Sequence, residues 1–400
     1  MAPALEGIRV LDFTWVVAGP AATRVLADQG AEVIKVERKV GEFVLGTRRA
    51  GLMADLNRNK RSIAINMAMA AGVELARRLV KVSDIVVDNF SARVMRQWGM
   101  DYAGLVKIKP DIICMSMSGF GHSGPRANHV SYGPTLQALS GFTMHMADAQ
   151  GRPAGFGYSY ADMAGGYCGA LAALIALWHR RRTGEGQFID LAQFEALISV
   201  IGPSILDLTV NGREQYPPQW NSQEAPAAPH GVYRCRPDGQ DDDRWVAISV
   251  RSHSDWRRFV AAIGSPLWAS DPRFHTLFLR MQNREPLDRH IEQWTSAQDA
   301  WEAMRILQKA GIAAAVASNA EDLCARDPQL RARGFWPAVD LPDGGRIHLS
   351  NVAFRLSDTP GSVRHPAPEI DQDRDWVLTT VLGMDRAERE ALLAAGAIYP

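Results

Sequence analysis

Residues 8–37 read as strand, helix, strand, and this unit constrains the fold more than any other stretch. Ile8 to Phe13 (IRVLDF) is a short apolar strand, Trp15 to Gly19 a loop, and Pro20 sits where a first helical residue belongs. Gly30 closes the helix, and Ala31 to Glu37 (AEVIKVE) is the second strand. Such a unit demands parallel pairing and a right-handed crossover. The crossover carries no GxGxxG, so no dinucleotide site is read here. The alternation continues with strands at 62–66, 84–90 and 111–116, a helix at 70–81, and a glycine-rich loop at 118–125. Strands alternating with helices over about residues 1–195 define an α/β domain. Ligands of such sheets lie beyond the carboxyl ends of the strands, which nominates the loops at 14–20, 38–61, 89–93 and 118–125.

At 400 residues the chain exceeds one ordinary domain. Residues 210–230, with Asn211-Gly212, Pro217-Pro218 and Pro226 to Pro229, read as a linker. Beyond it come strands at 231–235 and 244–250 around an acidic turn at 238–243, helices at 254–263, 285–297 and 298–310, and a strand at 311–316. A turn at Gly344-Gly345 follows, and a helical tail at 374–397 returns to the first domain. A formal net charge of zero argues against a nucleic-acid binder. The amino terminus has no signal-peptide pattern, and the apolar run Gly169 to Trp178 is too short to span a bilayer, so no membrane role is expected. Cys114, Cys168, Cys235 and Cys324 are scattered without metal-ligand spacing and read as reduced thiols of a cytoplasmic protein. The ten histidines form no HExxH and no close cluster, so no metal site is expected.

Tyr158 to Gln187 reads as one helix with a carboxylate at its mouth. Asp162 sits where an N-cap belongs, Gly169 to Trp178 is apolar on every face as in a helix enclosed by protein, and Gly184 ends it after Arg180-Arg181-Arg182. Gly165 and Gly166 each cost roughly 1 kcal/mol against alanine in a helix. One reason to keep them is close approach of a ligand to exposed amides. On residues alone Asp162 is either a simple cap, the commoner role, or the carboxylate of a site.

Several motifs occur in order along nearly the whole chain: Leu5 to Phe13, Ala18-Gly19-Pro20, Gly30 to Glu37, Asn57 to Ser62, Asn89-Phe90, Ala161-Asp162-Met163-Ala164-Gly165-Gly166, and Arg182 to Gln187. In this the sequence resembles the class III CoA-transferases, the CaiB/BaiF type that includes formyl-CoA and carnitine-CoA transferases. The resemblance implies a Rossmann-like large domain built from both chain ends, with a smaller α/β domain between. The boundaries expected are 1–199 for the large domain, 200–226 for a linker, 227–330 for the small domain, and 331–400 for a return linker and the rest of the large one. It also implies an interlocked-ring homodimer, with no permanently bound cofactor and coenzyme A or acyl-CoA as substrate. Asp162 is then the nucleophile, carrying CoA transfer to a free carboxylic acid through an aspartyl anhydride and an aspartyl-CoA thioester. By the same resemblance Arg38 and the loop Asn59-Lys60-Arg61 meet the CoA phosphates and adenine, Val16 lines the pantetheine arm, Asn89-Phe90 packs near it, and Arg93 adds a cation. Arg48 and Arg49 are candidates for a phosphate or a distal carboxylate.

The sequence departs from the formate-transferring relatives at Val17 and Gly133, where they carry glutamine and an acidic residue. A larger, less polar acyl group is the expectation, with Val17, Tyr132, Gly133 and His230 at the acyl site. The glycine-rich lid of those relatives has no clear counterpart, and Ala227 to Tyr233 takes its place. The α-methylacyl-CoA racemases share the fold but need a histidine–aspartate pair where this chain has Tyr132-Gly133, with His129 three residues early. A racemase and a CoA-binding subunit working with a sister chain are the alternatives. Succinyl-CoA is the donor the family suggests.

Overall fold

Six parallel strands form one sheet in the order β3-β2-β1-β4-β5-β6. They are β1 (Arg9–Asp12), β2 (Glu32–Glu37), β3 (Lys60–Ala64), β4 (Ile85–Asp88), β5 (Ile113–Ser118) and β6 (Phe188–Ala192). The computed structural model describes residues 2–39, 51–146, 152–155, 157–213, 226–239, 243–341 and 344–400. Helices connect the strands: α1 (Ala18–Asp28), α2 (Leu52–Asn57), α3 (Ala70–Lys81), α4 (Arg93–Gln97), α5 (Tyr102–Ile108), α6 (Gly133–Leu139), α7 (Tyr160–Thr183) and α8 (Gln193–Val200). Successive strand residues point to opposite faces, and both faces are covered, as a parallel sheet requires. Leu11, Ile34, Ile63, Val86 and Cys114 pack with α3, α5 and the carboxyl-terminal segment. Val10, Val33, Ile85, Val87, Ile113, Met115 and Met117 pack under α1 and α7.

Strand β3 is one edge of the sheet, and the returning chain covers it. Asp373 and Asp371 accept hydrogen bonds from the backbone N–H groups of Ser62 and Ala64 at 2.9 and 2.8 Å. An edge dressed this way offers no free row of amides to another strand. Ile398 bridges to Ile65, and Asn66 N–H donates to Ala397 O at 2.8 Å. Val377, Leu378, Met384 and Ile398 complete the core of that face.

The chain divides into two compact units, one of Met1–Thr143, Gly155–Leu206 and Pro328–Pro400, the other of Met144–Ala154 and Asp207–Asp327. In the second, β7 (His230–Arg234), β8 (Trp245–Ser249) and β9 (Ala313–Val316) form an antiparallel sheet in the order β7-β8-β9. Its core joins Tyr233, Val246 and Ile248 to Trp256, Phe259, Leu287, Ile291 and Leu307 from helices His253–Ala262, Arg284–Thr295 and Ala300–Lys309. Arg280 is fully buried there, its guanidinium 4.6 Å from the Trp256 ring and donating to the carbonyls of Ala228 and Phe274.

Five sequence expectations need correction. Pro20 is the third residue of α1, not the first, because Val17 already takes the position before the helix. Lys60 and Arg61 belong to β3 rather than a loop, since the Lys60 charge is neutralised inside the sheet. The loop at 38–61 contains α2, although residues 40–50 lie outside the described residues. Strand β6 went unread because Phe188 to Ala192 is short and carries Asp190. Residues 210–230 begin with the end of a helix, Gly202–Asn211, and residues 214–225 are outside the described residues.

Helix α7 brings the largest revision. Ser159, not Asp162, precedes it, and Asp162 is its third residue. Only its small-residue face is enclosed: Ala161, Gly165, Gly166, Gly169, Ala170, Ala173 and Ala176 are buried. Tyr167, Leu171, Leu174, Ile175 and Trp178 are exposed in the single chain. The helix is long and apolar enough to cross a membrane by length and composition, yet its small face packs on α1 and the sheet. Gly184 ends it in the left-handed region, and Arg180 pairs with Asp84 at 2.7 Å.

Candidate active site

Strand order reverses between β1 and β4, so the loops leaving their carboxyl ends diverge and open a crevice. The Asn89 side chain ties the two loops together: Oδ1 accepts from Trp15 N–H at 3.0 Å and Nδ2 donates to Trp15 O at 2.8 Å. This holds Val16 at φ 63°, a conformation a β-branched residue rarely adopts. Beneath the first loop, the Asp12 carboxylate accepts from Thr14 N–H at 2.8 Å, Thr14 Oγ1 at 2.6 Å and Thr23 Oγ1 at 2.7 Å, with Lys60 Nζ at 3.2 Å. Burial alone would raise this carboxyl, but the ammonium groups of Lys60 and Lys35 and the two threonines outweigh it and hold it below the ordinary carboxylate value. Beneath the second loop, Asp88 accepts from Ser116 Oγ at 2.6 Å and Phe90 N–H at 3.1 Å. Burial pushes its carboxyl up to about 6, against the opposing effect of Ser116, the Phe90 amide and His122.

Two cavities share Trp15, Phe90 and Val94 as walls. The larger, about 510 Å³, is bounded by Trp15, Phe90, Trp98, Tyr399 and Arg38. Phe90 meets Trp15 and Trp98 edge-on, each at 5.8 Å, and the Arg38 guanidinium lies 5.2 Å from the Trp15 ring. The smaller, about 190 Å³, is lined by Val16, Val17, Asn89, Tyr132, Asp162 and Gln193, among others.

Asp162 is half-buried at the head of α7. Burial raises its carboxyl above the ordinary value. The Ser159 hydroxyl beside it works the other way, although that oxygen makes no well-formed hydrogen bond. A methyl group built on Gly133 would lie 2.7 Å from Asp162 Oδ2 and 1.5 Å from Ser159 Oγ, so any side chain there displaces the carboxylate or its neighbour. The two glycines of α7 serve packing rather than a ligand, contrary to the sequence expectation. A Cβ on Gly166 would meet Ala21 Cβ at 2.7 Å and Ala18 O at 3.1 Å, and one on Gly165 would meet Gln193 Cγ at 2.9 Å. They let α1 and α8 seat Asp162 beside the β1 loop.

The profile of CoA-transferase family III matches residues 5–374. The chain belongs to CoA-transferase family III. Over 399 residues it is 31% identical to the succinyl-CoA–D-citramalate CoA-transferase of Chloroflexus aurantiacus, covering 98% of this chain and 97% of that one. It is 29% identical to the succinyl-CoA–L-malate CoA-transferase beta subunit of the same organism, covering 95% and 94%. A crystal structure of a CaiB/BaiF family protein from Brucella suis superposes with a TM-score of 0.85 at 28% identity, covering 96% of this chain and 100% of that one.

In this family III CoA-transferase the structure gathers Val16, Val17, Asn89, Phe90, Tyr132 and Asp162 at one cavity and Arg38 at the next. Gly133 stands against Asp162. Asn59 and Lys60 are corrected: both are buried, neither borders either cavity, and both are held by the protein itself. Asn59 Nδ2 donates to Asp28 Oδ1 and Ser362 O, while its Oδ1 accepts from the amides of Arg364 and His365. Lys60 Nζ also meets Pro20 O and Asn57 Oδ1. Arg61 pairs with Asp373 at 2.7 Å over the Trp376 ring, away from both cavities. Arg93 is exposed one residue before Val94. His230 opens β7 in the other unit with Nδ1 2.9 Å from Ser249 Oγ; burial lowers its pKa, and Arg251 and Arg284 lower it further. Arg48 and Arg49 lie outside the described residues. Sequence reasoning missed Trp15, Trp98 and Tyr399 as cavity walls, and Ser118 and Gln193 beside Asp162. The first follows from the β1 loop position; nothing in the sequence announces Tyr399.

Proposed function

We propose that this enzyme moves CoA from an acyl-CoA donor to a free carboxylic acid through covalent intermediates on Asp162. An Asp162 oxygen attacks the donor thioester carbonyl, and the C–S bond breaks to give an aspartyl–acyl anhydride and CoA thiolate. The thiolate attacks the aspartyl carbonyl, releasing the first acid and leaving an aspartyl-CoA thioester. The acceptor carboxylate attacks that thioester, and the expelled thiolate then takes the new acyl group from the resulting anhydride, regenerating Asp162. One observation carries the reading: a half-buried carboxylate, raised by desolvation, lines a cavity that shares walls with an aromatic chamber of about 510 Å³ bearing Arg38. Partial desolvation leaves a carboxylate less stabilised by water and so a better nucleophile. Arg38 and Trp15 suit the nucleotide end of CoA, while Val16, Asn89 and Phe90 suit the arm, with Arg93 near the entrance. Val17 and Gly133 give the acyl end an apolar, unobstructed wall.

The exposed apolar stripe Tyr167, Leu171, Leu174, Ile175 and Trp178 supports a homodimer, since a single soluble chain rarely leaves such a stripe bare. Four unpaired cysteines support a cytoplasmic setting. A relative named as a beta subunit keeps a sister chain in view. The test is CoA exchange between acyl-CoAs, succinyl-CoA among them, and a panel of free acids. Asp162→Asn lowers the rate by at least about 10⁴-fold, the scale seen when other nucleophiles are removed. Exchange that survives the substitution refutes the role. His129 also lines the Asp162 cavity, which favours racemisation as the second reading. Solvent deuterium at the α-carbon without an acceptor acid would establish it.

A further inference from the structure

The spacing Ser-x-x-Asp stands at the start of helix His253–Ala262 and again at the start of α7, with different results. At the first it closes a capping box: Ser252 Oγ accepts from Asp255 N–H at 3.0 Å, and Asp255 Oδ2 accepts from Ser252 N–H at 3.1 Å. The Ser252 hydroxyl, and then its amide, hold the Asp255 carboxyl below the ordinary value. At α7 the serine is Ser159 and the aspartate Asp162, and Ser159 makes no capping hydrogen bond. Buried Gln137 of α6 serves this helix end instead, its Oε1 accepting from Tyr160 N–H at 2.8 Å. Asp162 lines the cavity, and burial raises its carboxyl. Ser159 Oγ is covered by protein and has no well-formed hydrogen bond among the described residues. A Cβ built on Gly133 would lie 1.5 Å from that oxygen and 2.7 Å from Asp162 Oδ2, so the two oxygens are neighbours. Folded proteins leave few buried hydroxyls unmatched, and the acceptor beside this one is a carboxylate.

We propose that Ser159 is a positioning residue for Asp162: its hydroxyl donates to Oδ2 and leaves Oδ1 to attack the thioester. This rests on the CoA-transfer reading above. Rotation about the serine side-chain bonds closes the contact without moving the helix. Oδ2 then becomes the aspartyl carbonyl oxygen of the anhydride. It takes up negative charge when the CoA thiolate attacks that carbonyl, and the same hydroxyl donates more strongly to the developing oxyanion. Ser159 keeps its proton throughout. Covered as it is, the hydroxyl meets no part of the substrate and works through Asp162. Other ionisable groups around Asp162 are His129 and Tyr132 in the cavity wall and Tyr158 ahead of α7. Arg24 of α1 is paired with Asp55 at 2.6 Å, and Glu195 of α8 is exposed.

The test uses the full chain, with succinyl-CoA as donor and a panel of free acids as acceptors, and reads kcat, KM and the pH profile of kcat/KM. Ser159→Ala lowers kcat by about 10- to 100-fold, the scale of a hydrogen bond to a charged group, and leaves the KM for the donor nearly unchanged. The acid limb of the profile moves to higher pH, because the lost donor favoured the ionised carboxylate. Ser159→Thr keeps a hydroxyl and recovers most of both. An alanine variant that melts lower but keeps its kcat and its acid limb shows a plain helix cap. That overturns the inference while leaving CoA transfer intact. A raised KM at unchanged kcat overturns it too, as does a folded threonine variant as slow as the alanine one. Should threonine misfold, the acid limb of Ser159→Ala decides alone. Failure of the wild type with every acid counts against the CoA-transfer reading itself, and the inference falls with it.

Discussion

Replacing Lys60 with methionine separates two roles for this residue. As a phosphate ligand it would affect binding; as the structure places it, it holds the core beneath the loop that follows β1. Its ammonium lies 3.2 Å from Asp12 Oδ2 with both side chains wholly covered, and it also meets Pro20 O at 3.2 Å and Asn57 Oδ1 at 3.1 Å. Breaking one side of a buried ion pair costs about 3–5 kcal/mol. The three hydrogen bonds to Asp12 from Thr14 and Thr23, and the nearby Lys35, remain, which favours the lower end, about 3 kcal/mol. Methionine keeps the length and apolar bulk, so the change isolates the charge. Urea unfolding followed by tryptophan fluorescence measures the loss. The pH dependence has a definite sign. Asp12 is held below its ordinary carboxylate value in the folded protein, so its contribution is present above that value and is lost as pH falls. Losing Lys60 raises the folded Asp12 pKa, and the deficit of Lys60→Met narrows as pH falls through the carboxylate range. An unchanged unfolding midpoint with a raised KM for acyl-CoA would refute this reasoning and return Lys60 to the CoA phosphates.

Gly166→Ala gains about 1 kcal/mol of helix propensity but presses a methyl onto Ala21 Cβ and the Ala18 carbonyl. Neither neighbour has a rotamer to yield, so overpacking of about 1–3 kcal/mol wins, and the unfolding midpoint falls. The Asp88 carboxyl, displaced from 3.8 to about 6 by burial, costs the folded state roughly 3 kcal/mol once ionised. Asp88→Asn is accordingly more stable than the wild type at pH 7.5, and the gap closes toward pH 4 in paired melts. The raised Asp162 carboxyl acts with the same sign, losing stability as pH rises through its folded pKa, so inactive Asp162→Asn melts higher than the wild type at neutral pH.

The sheet was legible because its buried strands are nearly continuous apolar runs punctuated by glycine, as in Val33-Ile34 and Ile85-Val86-Val87. Strand β6 was not, because Asp190 interrupts a short edge-side segment whose place is decided by pairing with β5. Asp162 could be singled out from the glycines behind it, but their purpose could not. Whether a glycine admits a ligand or a neighbouring helix depends on a partner more than 140 residues away, here Ala18 and Ala21. Lys60 misled for a related reason. A lysine between Asn59 and Arg61 looks solvated until Asp12 is found beneath it. The bare face of α7 shows the converse, since composition made the helix look enclosed while one chain covers only its small residues.

The proposed route requires Asp162 to become covalently acylated. Its most direct test is peptide mass spectrometry of the enzyme incubated with acyl-CoA and quenched with borohydride, which reduces an activated aspartyl carbonyl to an alcohol. Reduction is expected only in the peptide bearing Asp162, dependent on the donor and absent from Asp162→Ala. An unmodified Asp162 in an enzyme that is exchanging CoA between acids, or a label on another residue, would contradict it.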